Sequence, residues 1–229
     1  MDNINSKINF LKQKAFNSIF VLDLDEALKN LQAAEVIDSK NPEIIANLGI
    51  VYFKKELFST ASEYFEKLIA LNSGFIDEIK VYKLLSICYL NTDNFDKSLI
   101  YINKVLLLKN DDVDILNIKA YCLNKKGDIN SAISIYKYIL KIDNCNKTSL
   151  NSYSYLLARK NIKINEALNI MLKIYEENNA AHNDTLGFIY MKLGDVDNAR
   201  KYLYKAKDLK PFNKEIIQNI QSFNKLFDN

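Results

Sequence analysis

Six small residues at a nearly fixed interval constrain this chain more than any other feature. Ala15, Gly49, Ser86, Ala120, Ser154 and Gly187 lie 34, 37, 34, 34 and 33 positions apart, each inside an apolar helical pattern. A second series, Ala27, Ala61, Ser98, Ala132, Ala167 and Ala199, is spaced 34, 37, 34, 35 and 32 apart, almost in step with the first. Self-similarity at a period of roughly 20 to 50 residues is the mark of stacked supersecondary units, which bury their apolar faces on one another rather than around one centre. Between the two small residues of successive units lie turn-prone clusters: KKELFST, NTDNFDKS, KKGDINSA, RKNIKINEA and KLGDVDNA. Each unit is therefore read as a helix, a turn and a second helix.

The second helix of a unit carries one apolar face. Tyr64, Phe65, Leu68 and Leu71 recur at three- and four-residue steps, as do Ile135, Tyr136, Ile139 and Ile142, and Tyr202, Leu203, Ala206 and Leu209. Helices that cross at about 8 to 10 Å leave no space for a large side chain, which gives the Gly, Ala and Ser series its physical reason. After Pro211 one further amphipathic segment puts Ile216, Ile220, Phe223 and Phe227 on one face. It reads as a helix that caps the apolar flank of the last unit, and its loss should cost solubility before it costs binding.

Composition narrows the function. With 31 Lys and Arg against 28 Asp and Glu, no strong field draws the chain to nucleic acid or to an anionic membrane. The first residues lack the apolar core of a secretory signal, and no apolar run approaches the roughly 20 residues of a membrane span, so the expectation is a cytoplasmic protein. Cys88, Cys122 and Cys145 form no CxxC pair and stand far from the single histidine, His182, so no zinc site or disulfide framework is expected. Cys88 and Cys122 sit 34 apart, in the same place of neighbouring units, and are read as small core residues. His182 is read as a solvated or capping side chain. Asp111, Asp112, Asp128 and Asp195 fall at turns and are read as turn and helix-start residues. No phosphate-binding loop, dinucleotide fingerprint, nucleophile elbow or HExxH motif occurs, so neither an enzyme nor a cofactor is expected.

Two segments, NPEIIANLGIVYFKKELFSTASEYFEKLIALN and AAHNDTLGFIYMKLGDVDNARKYLYKAKDLKP, resemble the tetratricopeptide-repeat (TPR) family. The family pattern is matched by Leu186, Gly187, Tyr190, Ala199, Leu203, Ala206 and Pro211, and by Ile45, Leu48, Gly49, Tyr52, Ala61 and Phe65. The resemblance implies an all-α fold, a right-handed α-solenoid of about six stacked helix-turn-helix repeats with a C-terminal capping helix, as a single domain over 1–229. The repeats run approximately 8–41, 42–75, 79–112, 113–146, 147–179 and 180–213, with the cap at 214–229. Extra residues around Ile76 to Glu78 shift the third unit, and the fifth has a longer turn from Arg159 to Asn165.

The resemblance also implies a function, a scaffold that holds a peptide segment of another protein on the inner wall formed by the first helices. Carried over position by position, that wall comprises Lys12, Phe16 and Phe20; Asn47, Ile50, Phe53 and Lys54; and Lys80, Lys83, Ile87 and Asn91. The later units add Asn117, Tyr121, Asn124 and Lys125; Asn151, Tyr155 and Arg159; and Asp184, Phe188, Met191 and Lys192. Amides, aromatics and lysines with few acids suggest a partner segment with apolar anchors and some negative charge, met in part by Lys83 and Lys125. Members that grip chaperone tails use a two-carboxylate clamp. Lys12, Asn47 and Lys80 fit it, but Phe16 and Leu84 replace its Asn and Arg, so the bidentate carboxylate contact is missing. A self-associating structural protein is the second reading, and a helical-repeat nucleic-acid binder the third.

Overall fold

The computed structural model describes residues 2–71 and 77–227. They form thirteen helices and no strand, grouped into two compact units, residues 1–118 and 119–229. The first unit contains α1 (Asp2–Phe20), α2 (Leu24–Ile37), α3 (Pro42–Lys54), α4 (Phe58–Ala70), α5 (Glu78–Asn91) and α6 (Phe95–Leu108). The division falls inside α7 (Val113–Lys125). The second unit continues with α8 (Ile129–Ile142), α9 (Lys147–Arg159), α10 (Ile164–Ile174), α11 (Ala180–Leu193), α12 (Val196–Leu209) and α13 (Lys214–Phe227). The helix α1 starts well before residue 8. Of the extra residues expected around Ile76 to Glu78, Ile76 lies outside the described residues, and Asp77 and Glu78 open α5.

Within a hairpin the two helices close on each other at the small residues. A Cβ placed on Gly49 would lie 2.7 Å from the Phe65 ring of α4. On Gly187 it would lie 2.7 Å from Leu203 Cγ and 2.8 Å from the Leu203 backbone nitrogen. The corresponding Ala15, Ser86, Ala120 and Ser154 are all but fully buried, and Ser98 Oγ donates to the Ser86 carbonyl at 2.8 Å across the same crossing.

The chain reverses by one repeated device. Leu22, Glu56, Asp93, Gly127, Asn161 and Gly194 all adopt positive φ, between 56° and 90°. They stand seven residues after the six small residues, so the turn keeps the period of the crossing. The next backbone N–H reaches back five residues to cap the first helix, as from Asp23 to Ser18, Leu57 to Tyr52, Asn94 to Tyr89 and Asp195 to Tyr190. In four hairpins that same residue caps the second helix with its side chain: Asp23, Asn94, Asp128 and Asp195 accept from the N–H three positions on. At Leu57 no side chain can do so. The fifth hairpin takes one more turn residue, Lys163, also at positive φ and also without a side-chain cap.

Successive hairpins are joined by tyrosines. Tyr52 of α3 stacks on Tyr64 of α4 at 5.3 Å, and the Tyr64 hydroxyl donates to Glu35 of the preceding hairpin at 2.9 Å. One repeat later Tyr89 stacks on Tyr101 at 5.8 Å, and both hydroxyls donate to Glu66 of α4. In the second unit Tyr190 stacks on Tyr202 at 5.6 Å. The last helix, α13, buries Ile216, Ile220 and Phe223 and packs along α12, while Phe227 lies partly exposed against Phe223.

Gly187→Ala should cost about 2–3 kcal/mol and Gly49→Ala about 1–2 kcal/mol, because the first meets backbone and the second a ring that can shift. Urea denaturation of the two variants beside the parent checks the order. Leu57→Asp supplies the absent cap and should raise stability by about 1 kcal/mol in the same assay.

Candidate functional site

In the first unit the expected wall is a set of stripes on α1, α3 and α5. Lys12 on α1 forms an ion pair with Glu43 at the start of α3, which places the two stripes side by side. Beyond that pair, Phe16 and Phe20 on α1 are 64% and 82% exposed, and Val21 and Leu22 follow them, also exposed. On α3, Asn47, Ile50 and Phe53 are partly buried, with Phe53 edge-on to Phe58 at 5.5 Å, and Lys54 is exposed. On α5, Ile87 is partly buried and Asn91 donates to the Ile87 carbonyl at 2.9 Å. Asn117, at the beginning of α7, donates to the Val113 carbonyl at 3.0 Å.

The lysines of this wall do not stand free as the sequence suggests. Lys83 reaches Asp112 at 2.5 Å, where Lys109 joins at 3.3 Å, and Lys80 pairs with Asp77 at 3.3 Å. Asp112 is itself almost completely buried and also accepts from the Ile115 N–H, so its carboxyl stays below the ordinary range although burial opposes this. These acids sit in the turns ahead of the first helices, outside the positions that read as inner wall.

The second unit is built differently. Arg159 of α9 donates to Asn124 Oδ1 of α7 at 2.7 Å; Tyr155 of α9 packs on Phe188 of α11 at 4.9 Å. Asn219 of α13 donates to both oxygens of Asp184 on α11 at 3.0 Å. The ring closes where the Tyr121 hydroxyl of α7 donates to Glu215 of α13 at 3.2 Å, with Lys125 paired to the same carboxylate. Four helices thus face one another around a cavity of about 140 Å³, bordered by Tyr121, Asn124, Tyr136, Asn151, Tyr155, Asp184 and Glu215 among others.

Around this ring Phe188 and Met191 are buried, Lys192 lies over the Phe188 ring at 5.4 Å, and Lys125 is paired with Glu215. The capping segment covers the last hairpin and also reaches the inner face, which its amphipathic pattern did not reveal. Asp184 is 8% exposed, and burial pushes its carboxyl up to about 6, with Asn219 opposing and Glu215 adding to the rise. The Asn151 Oδ1 is buried at the cavity without a hydrogen-bond donor.

The residues with reactive chemistry are placed elsewhere. Cys88 and Cys122 are buried, and burial pushes the Cys88 thiol up to about 12, far from a reactive thiolate. His182 is buried rather than solvated, its Nδ1 accepting from the Glu176 N–H at 3.2 Å, and burial lowers its pKa. Among the described residues no group of three or more His, Cys, Asp or Glu could hold a metal ion, and no helix is long and apolar enough to cross a membrane.

Comparison with known proteins agrees with the fold. A family model described as TPR repeat matches residues 23–56, and one described as tetratricopeptide repeat matches 42–75 and 184–213. Over 194 residues the chain is 22% identical to Protein NPG1 of Arabidopsis thaliana, covering 84% of this chain and 25% of that protein. It spans about a quarter of the length of the curated relatives it matches. A tetratricopeptide repeat protein from Parabacteroides merdae superposes with a TM-score of 0.78 at 15% identity, over 96% of this chain and 87% of its own. YrrB, described as a TPR protein with an unusual peptide-binding site, superposes with a TM-score of 0.52 at 19% identity, over 94% of this chain and 90% of its own.

The buried carboxyl sets a pH test. A carboxyl whose folded pKa lies above its unfolded value binds its proton more tightly when folded, so stability falls as pH rises from the unfolded value through the folded one. Between pH 4 and pH 6 Asp184 should withdraw about 2 kcal/mol of stability. Asp184→Asn should remove that slope, as read from urea midpoints at successive pH values.

Proposed function

Because this chain is a tetratricopeptide-repeat protein, we propose that it serves as a protein-interaction scaffold whose first unit takes a partner segment through apolar anchors on α1 and α3. The exposure of Phe16 and Phe20 carries the reading. Two phenylalanines one helical turn apart stand in water on the stripe that Lys12 and Glu43 align with α3, where Ile50 and Phe53 keep part of their surface uncovered. Apolar side chains grouped on one wall mark an interaction surface more strongly than the same residues scattered singly. Asn47 and Asn91 lie on the stripes beside them, where amides can bond a peptide backbone. The internal lysine pairs leave Lys54 as an exposed cation of this wall, so binding should depend weakly on salt. The peptide-binding site described for YrrB supports the same class of role for this fold.

The test is a selection from a displayed random-peptide library on the purified chain, repeated with Phe16→Asp/Phe20→Asp. Both residues are exposed, so the double variant should fold. The parent should enrich peptides with aliphatic or aromatic anchors, and the double variant should bind them about tenfold or more weakly. Absence of enrichment, or equal binding by the variant, rejects this wall as the site. If the parent sediments as a dimer that the double variant dissociates, the same surface belongs to self-association instead.

A further inference from the structure

The cavity of the second unit contains a carboxylate that the unit does not neutralise. Asp184 accepts two hydrogen bonds from the neutral Asn219 amide and has no cationic partner among the described residues. Lys210, the cation that lines the space, lies exposed just past the end of α12, and the neighbouring Lys125 and Arg159 are engaged by Glu215 and by Asn124. A buried carboxylate is costly unless a positive charge answers it. Beside it stand a second carboxylate, Glu215, and the donorless Oδ1 of Asn151, so the wall presents acceptors in excess. The rings of Tyr121 and Tyr155 border the same space.

We propose that this cavity is a receptor for one guanidinium group, carried by an arginine side chain of a bound protein. The source of the arginine rests on the scaffold reading given above; the chemistry rests on the cavity alone. Guanidinium fits better than ammonium for three reasons. It is planar and distributes five donors over separated acceptors, it gives up hydration more readily, and it stacks on aromatic faces. The size agrees, since a cavity of about 150 Å³ accommodates a benzene-sized guest. An anion would face two carboxylates, and an apolar guest would leave Asp184 and Asn151 unanswered. Arrival of a cation stabilises the ionised form of Asp184, so binding and deprotonation of that carboxyl are linked.

The probe is the peptide acetyl-Ala-Arg-Ala-amide, with its citrulline counterpart, which keeps the shape and loses the charge. Both are titrated into the full chain and followed by NMR at the Asn151 side-chain amide, the Tyr121 and Tyr155 rings and the Asp184 carboxyl carbon. The arginine peptide should give saturable shifts at these signals and move the Asp184 titration midpoint down by about one pH unit or more, with no such response to citrulline. Asp184→Asn should weaken binding about thirtyfold or more. Asp197→Asn, exposed on α12, should bind as the parent does. Should Asp184→Asn fail to fold, Asn151→Leu, which fills the space and removes the orphan acceptor, should also abolish the shifts. Unsaturable shifts, equal shifts with citrulline, or unchanged binding in whichever of these variants folds would overturn the proposal. Enriched library peptides without arginine binding would reject the cavity alone. Arginine binding without enrichment would reject the α1–α3 wall alone.

Discussion

The structure depends on one steric constraint: within each hairpin two helices touch where no side chain larger than a hydroxymethyl fits. The backbones at Gly187 and Leu203 approach so closely that an added methyl has no position to occupy. Contact at that point fixes how far the first helix can run before it must reverse. The left-handed residue accordingly appears seven positions later in every hairpin, whether it is Gly127 and Gly194 or Leu22, Glu56, Asp93 and Asn161. The four side-chain-bearing residues adopt a conformation that costs each of them on the order of 1 kcal/mol. They are held there by the crossing on one side and the backbone cap on the other. Geometry is thus maintained where the local residue would not choose it.

This explains what was legible in the chain. The helices could be read because their small residues and apolar stripes recur in phase, and the KGD and LGD turns announced themselves through glycine. At Leu22 the turn has no local signature, since its conformation is imposed by packing. Four asparagines cap helices at the start of a repeat or of the last helix. Asn41, Asn146, Asn179 and Asn213 each accept from a backbone N–H of the following first turn. Their spacing close to the repeat period was the signal available for finding them. The wall register could be carried over by position, but its ion pairs could not. Lys12 meets Glu43 and Lys83 meets Asp112 through stacking of neighbouring hairpins, at separations no helical wheel displays. The contact of Tyr121 with Glu215 spans 94 residues and depends on where α13 comes to rest.

The two units therefore offer different chemistry from one repeat. In the first, the inner stripe stays apolar and uncovered at α1, and its charges are settled by turn acids. In the second, the opening turn of the last helix meets α7 and borders a small space with Tyr121, Tyr155 and Asp184. The same position of the repeat that displays Phe16 to water becomes, at Tyr121 and Tyr155, part of a polar ring.

Glu66 carries a consequence of its own. This one carboxylate of α4 receives the hydroxyls of Tyr89 on α5 and Tyr101 on α6, and the ammonium of Lys97 lies 3.5 Å away. Burial pushes its pKa up, but those donors outweigh burial and hold the group ionised below the ordinary carboxylate range. Both arms of the third hairpin are moored to a single oxygen of the second, Glu66 Oε1. A lone proton delivered in strong acid would remove the charge from all three contacts together, so this joint should loosen as a whole rather than piece by piece.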